Sequence, residues 1–287
     1  MNKDGIPFMK TAVVTDSTAY IPKELREQLN IHMIPLSVNF GNETYKEEIE
    51  IQTDDFYEEV KTKELPTTSQ PAIGEFVTLF EQLAKDYDTV ISIHLSSGIS
   101  GTFQGAVSAG EMVEGIDVHA FDSEISCMVQ GFYVIEAAEM AKAGKSYKEI
   151  LARLEEMKQS IRAYFMVDDL SHLQRGGRLS SAQAIIGSLL QVKPLLHFEN
   201  KLIVPFEKIR TRKRAMKRMV ELLEEDAKSG AEYKAVIIHA KREDEANEWK
   251  AELEAKLPNV EFFLSYFGPV IGTHLGEGSM GLGWVKK

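Results

Sequence analysis

Cysteine is nearly missing from this chain. Cys127 stands alone among 287 residues, so no internal disulfide can form, and the small disulfide-stapled secreted folds are excluded. No window is apolar for the ~20 residues a membrane-spanning helix needs. The first eight residues, Met1 to Phe8, lack the apolar core of a signal peptide. They read as a tail before the first strand, with Met9 an alternative start, and a cytoplasmic location is the expectation. Positive charge is in the minority: 33 Lys and Arg against 44 Asp and Glu give a net charge of −11, which argues against nucleic acid as a partner. The seven histidines include no H-E-x-x-H spacing, so neither a metal site nor a cofactor is expected. No Walker A motif occurs.

What is present is the composition of a globular chain, 44% hydrophobic and 27% charged, with room for one or two domains. Apolar β-rich runs at Thr11–Thr15, Ile31–Phe40, Thr89–Leu95 and Val118–Phe121 alternate with helical patterns at Pro22–Leu29, Thr53–Lys63, Ala72–Lys85, Gly101–Val113, Ser126–Ala143 and Ser146–Gln159. This alternation predicts a parallel, Rossmann-like α/β domain over residues 9–165. A second α/β domain, sandwich-like, is expected over 166–287, with its last strand packing back toward the first. No low-complexity linker separates them, so the domains should pack tightly and share a cleft.

Two hydroxyl-rich turns carry the strongest chemical signal. Thr67-Thr68-Ser69-Gln70-Pro71 reads as the opening of a helix, and Ser96-Ser97-Gly98-Ile99-Ser100-Gly101-Thr102 as the link from a strand to a helix. A helix N-terminus offers free N–H groups and positive potential, so two such turns suit a phosphate or a carboxylate. Capping alone accounts for one hydroxyl and the proline of the first turn, not for three hydroxyls in a row. Asp16-Ser17-Thr18 and Asp122-Ser123 also end strands and should share that sheet edge.

His274 lies in the glycine-rich stretch Gly272–Gly281, where it is a candidate to bond an anion. Gly276-Glu277-Gly278-Ser279-Met280-Gly281 matches G-x-G-x-x-G, but only six residues follow it, too few for a dinucleotide-binding unit. It reads instead as a turn that lets the last strand pass close to another backbone or a ligand. Ile185, Ile186 and Leu189 read either as core or as the lining of an apolar tunnel. Lys208 to Arg218 holds seven basic residues and no acid, either a solvated helix face or a docking patch.

These motifs, with Leu173-Gln174-Arg175-Gly176-Gly177-Arg178 and Gly268-Pro269-Val270, resemble those of the DegV family from Met9 onward, and most of all its FakB members, the fatty-acid-binding subunits of bacterial fatty acid kinase. The resemblance implies two α/β domains around one long-chain fatty acid. Its carboxylate would be held by Thr68 with its neighbour Thr67, by Ser97 with its neighbour Ser96, and by His274. The chain would then be no enzyme itself. A separate ATP-dependent kinase subunit would phosphorylate the bound carboxylate for phospholipid synthesis, and transient exchange with a membrane would load the lipid. Arg175, Arg178, Arg210 and Arg212 are the expected kinase-docking residues. Two other readings stay open: an acyl hydrolase using Ser97 or Ser100 with His274, although the nucleophile-elbow spacing is missing, and a phosphate or nucleotide binder.

Overall fold

The computed structural model describes residues 9–180 and 193–287. The first half contains β1 (Thr11–Asp16), α1 (Lys23–Leu29), β2 (Ile31–Ile34), β3 (Ser37–Phe40), β4 (Glu43–Lys46), α2 (Thr53–Thr62) and β5 (Thr67–Ser69). It continues with α3 (Ile73–Leu83), β6 (Thr89–His94), α4 (Thr102–Gly110), β7 (Asp117–Asp122), α5 (Cys127–Lys142) and α6 (Tyr147–Lys158). Strands β2-β1-β6-β7 form a parallel sheet. All six residues of β6 are buried, as expected of a strand covered on both faces. On one face α3 contributes Phe76, Phe80 and Leu83, spaced four and three apart on one helical stripe. α6 begins with a capping box, in which Ser146 and Glu149 satisfy each other's backbone N–H.

The second half contains β8 (Arg162–Met166), α7 (Ser171–Gly176), β9 (Leu195–Glu199), β10 (Leu202–Glu207), α8 (Arg212–Ala227), β11 (Tyr233–His239), α9 (Glu243–Lys256), β12 (Val260–Tyr266), α10 (Pro269–Leu275) and β13 (Met280–Lys286). Its sheet is mixed, in the order β10-β9-β8-β13-β11-β12, with only β11 and β12 parallel. The expected boundary at 165/166 would cut β8 near its end. The whole strand pairs with β13, and its Tyr164 and Phe165 also pair with β9, so the division between the sheets falls before Arg162. β13 runs in the middle of this sheet, and its alternation turns Gly281 and Gly283 toward the first domain.

Thr67-Thr68-Ser69 does not open a helix. It forms β5, which pairs with β3 (Thr68 opposite Val38) in a small antiparallel sheet, and α3 starts only after Ala72. The main core lies between the two large sheets and includes α5, whose residues from Cys127 to Val134 are all buried. Glu47 helps join the halves. Its fully buried carboxyl accepts from Ser17 Oγ (2.6 Å), Tyr20 Oη (3.1 Å) and the Val270 N–H (2.8 Å) at the start of α10. Burial pushes this carboxyl up to about 8, although Ser17 and the Val270 N–H act in the opposite direction. Among the described residues no helix is long and apolar enough to cross a membrane.

Candidate functional site

The described residues line a cavity of about 260 Å³ between the two domains. Its walls are apolar for most of their extent. The six-stranded sheet supplies Phe165, Gly281 and Gly283, α5 supplies Val129, and the β9–β10 hairpin supplies Phe198 and Ile203. Gly283 permits a close approach, because a Cβ there would collide with Val129. The last strand thus passes close to α5 beside the cavity, at Gly283, two residues beyond the Gly276–Gly281 motif. Gly278 just before it sits at φ +89°, with its carbonyl held by Arg212 Nη1.

One end of the cavity is polar. β5 brings Thr68, the loop before α4 brings Ser100, and α10 brings His274. Thr68 Oγ1 and His274 Nε2 lie 2.8 Å apart. His274 Nδ1 is buried and has no hydrogen-bond partner among the described residues. The ring packs on Gly176, where any Cβ would collide with it. Burial pushes the imidazole down to about 4, and the positive charges of Arg178 and Arg175 add to the shift. His274 is therefore neutral at pH 7 and acts as a hydrogen-bonding group, not as a cation. With the proton on Nε2, Thr68 accepts from the ring and its own O–H is free to point into the cavity. Ser100 Oγ is 2.8 Å from Thr102 Oγ1 at the first turn of α4.

The sequence-derived carboxylate set is thus partly rearranged. Thr68 and His274 come together. Thr67 alternates to the other side of β5, is exposed, and meets only the Asn39 side chain at 3.3 Å. Ser96 and Ser97 do not line the cavity. Ser96 donates its hydroxyl to the Lys201 carbonyl (2.6 Å), and Ser97 donates its hydroxyl and N–H to Asp122 (2.5 and 3.1 Å). Ser100, three residues on, lines the cavity instead. The signal was its position just ahead of the helix, where a hydroxyl and free N–H groups coincide. Ile185, Ile186 and Leu189 lie outside the described residues.

The arginines also divide. Arg178 lines the cavity and bonds the carbonyls of Ile99 (3.1 Å) and Gly176 (2.5 Å), so it is a cavity wall, not a free docking cation. Arg175 is exposed and reaches the Thr273 carbonyl at 3.4 Å. Arg212 is a clamp: it grips both oxygens of Glu245 (3.1 and 2.8 Å) and Asp168 (3.1 Å). Arg210 is exposed, with no ion-pair partner among the described residues.

Hydrolytic machinery is not assembled around His274. Its ring has Thr68 as partner on one nitrogen and none on the other among the described residues, and the Ser97 hydroxyl points to Asp122. Elsewhere Asp16, His94 and Ser92 reproduce the connectivity of a serine-histidine-aspartate relay, with contacts of 3.0 and 2.6 Å. All three are fully buried and none lines the cavity, so this chain of bonds braces the parallel sheet. Among the described residues no group of three or more His, Cys, Asp or Glu is placed to hold a metal.

Comparison with known proteins fits this geometry. The family model described as "Uncharacterised protein, DegV family" matches residues 10–287. Protein DegV of Bacillus subtilis (strain 168) is 67% identical over 281 residues, covering 97% of this chain and 100% of that protein. The crystal structure of DegV from Bacillus subtilis, described as a fatty acid binding protein, superposes with a TM-score of 0.93 at 66% identity, over 97% of this chain and 100% of the other. A DegV family protein from Thermus thermophilus, described for its fatty acid binding, gives a TM-score of 0.91 at 30% identity, over 97% and 100%. By sequence and by fold, the chain belongs to the DegV family.

Proposed function

We propose that this protein binds a long-chain fatty acid in the cavity and presents its carboxylate to a separate ATP-dependent kinase. The observation that carries the reading is the cavity itself, a mostly apolar space with Thr68, Ser100 and His274 among its lining residues and Thr68 bonded to His274. The fatty acid binding described for the Bacillus subtilis and Thermus thermophilus relatives supports the same ligand. Each buried methylene contributes about 0.8 kcal/mol, so a long tail contributes on the order of 10 kcal/mol. The cost of ordering the ligand offsets part of this. Hydrogen bonds to the charged head contribute roughly 1.5–3 kcal/mol each. The tail supplies affinity and the polar end supplies orientation.

In the reaction, a carboxylate oxygen attacks the γ-phosphorus of ATP on the kinase, and acyl phosphate and ADP leave, the acyl phosphate entering phospholipid synthesis. A neutral His274 suits this task. It orients the carboxylate without protonating the oxygen that must act as nucleophile. Arg175, Arg210 and the neighbouring Lys208, Lys213 and Arg214, all exposed, form the surface offered to the kinase, and brief contact with a membrane exchanges the lipid. Native mass spectrometry of protein purified from a bacterial host tests the reading. A stoichiometric mass excess, released on denaturation as a free fatty acid, is expected. A well-folded protein without lipid overturns it.

A further inference from the structure

The most prominent serines of the sequence, Ser96 and Ser97, do not line the cavity, and their side chains are engaged elsewhere. The β9–β10 hairpin belongs to the second domain, and its turn, Glu199 to Leu202, reaches across to the first. Asn200 and Lys201 both have positive φ (49° and 71°), which makes a tight two-residue turn that moves with its strands. Its tip is caught in a socket. Ser96 Oγ donates to the Lys201 carbonyl at 2.6 Å, and Lys201 Nζ lies 3.0 Å from Asp122 Oδ2. Ser97 fixes the same carboxylate, donating its hydroxyl to Oδ2 and its N–H to Oδ1. Gly98 lets the turn seat fully, because a Cβ there would collide with the Lys201 carbonyl.

We infer that the hairpin tip is a releasable latch, with Ser96, Ser97, Gly98 and Asp122 as its catch, and that its opening admits and releases the acyl chain. This rests on the cavity being the lipid site. Three features make this wall the movable one. β10 is the edge strand, met on its outer side among the described residues by a single bridge, Leu179–Ile203, with the Ser180 N–H on the Ile203 carbonyl at 2.9 Å, and β9 is held to β8 at only two register positions, Tyr164–His197 and Phe165–Leu196. The hairpin also carries Phe198 and Ile203, which face the cavity, so swinging it out opens the void directly. Finally, the catch is weak enough to release. Lys201 is 44% exposed although Asp122 is only 7% exposed, so the ion pair is partly screened by water. Three members of the catch, Ser96, Ser97 and Gly98, share one short loop with Ser100, so closing the latch also sets the hydroxyl that lines the cavity.

The test is the rate at which protein loaded with a fluorescent long-chain fatty acid gives it up to excess fatty-acid-free albumin, followed by stopped flow. Lys201→Ala should release about 3- to 10-fold faster, because it removes one partly desolvated ion pair. Gly98→Ala, which wedges the turn off its seat, should be faster by about 10-fold or more. Added salt should accelerate the wild type and leave Lys201→Ala nearly unchanged, because only the former has the pair to screen. The exposed Lys85→Ala, just beyond the far end of α3, serves as the neutral control. Loaded, folded Lys201→Ala protein that releases at the wild-type rate, with the same salt response, overturns the latch, even if Gly98→Ala fails to fold. A wild type that takes up no fatty acid overturns the underlying lipid reading instead, so the two failures are distinct.

Discussion

The neutrality of His274 is the most exposed claim about this site, and pH tests it. Its folded-state value of about 4 lies below the ordinary 6.5 because burial disfavours the imidazolium, with Arg178 and Arg175 adding repulsion. A base with a depressed value is less protonated in the native chain than in the unfolded one. Acid therefore favours unfolding: the contribution of His274 is constant above about pH 6.5 and is lost as pH falls toward 4. The full loss is about 3 kcal/mol, from 2.5 pKa units at 1.36 kcal/mol each, and roughly 2–3 kcal/mol of it appears by pH 4.5.

Other histidines, including His32, His172, His197 and His239, are also depressed by burial, so the wild-type acid slope is shared among them. Comparison with His274→Gln isolates one residue. Urea unfolding of both delipidated proteins from pH 7.5 to 4.5 should show the wild type losing about 2–3 kcal/mol more than the variant. Parallel curves would refute the argument, because they would mean that the ring titrates normally. Fatty acid adds an anion beside Nε2 and opposes the arginines. Loaded protein should then lose less stability on acidification, and ligand affinity should rise as pH falls from about 6.5 toward the ionisation range of the fatty acid itself.

Ser100→Ala should weaken fatty acid binding about 10- to 100-fold by equilibrium titration, through loss of one charge-assisted hydrogen bond. Ser97→Ala should change uptake and release rates together and leave Kd near the wild-type value, since it touches the catch and not the ligand; equal loss of affinity in the two variants would contradict the geometry. Arg212→Ala should lower the melting temperature by on the order of 5 °C, because it strips Glu245 and Asp168 of a part-buried partner. The exposed Arg210→Glu should leave melting and lipid content unchanged while weakening kinase association in a pull-down or titration; a drop in lipid content would show that Arg210 is structural. Glu47, pushed up to about 8, keeps a proton that the unfolded chain gives up near 4.5. Stability therefore falls as pH rises through this window. Glu47→Gln should show a smaller drop in thermal midpoint between pH 6 and 8.5 than the wild type, and identical drops would refute the assignment.

Local pattern made much of the fold legible. β6 announces itself by an unbroken apolar run, and α3 by Phe76, Phe80 and Leu83 on one stripe. β5 was hidden because a three-residue strand has almost no signal of its own. Its pairing partner is β3, some thirty residues earlier, while Pro71 and its preceding hydroxyls mimic a helix start. The basic window likewise looked unpaired when counted along the chain. The acids that engage Arg212 are Asp168 and Glu245, 44 and 33 residues away.

The same logic governs the site. Chemical identity could be read in the sequence: hydroxyls at 68 and 96–100, a histidine at 274. Direction could not. Whether Ser97 or Ser100 lines the cavity is decided by Asp122, 25 residues from Ser97, and by the Lys201 carbonyl, 105 residues from Ser96. Thr68 and His274 meet across 206 residues, one on an edge strand of the first domain and the other on the helix whose N-terminus Glu47 secures. None of the three polar elements is complete within its own segment. The polar end of the cavity therefore exists only when the two domains are closed on each other, so under the proposed function forming the carboxylate site and closing the cavity are a single event.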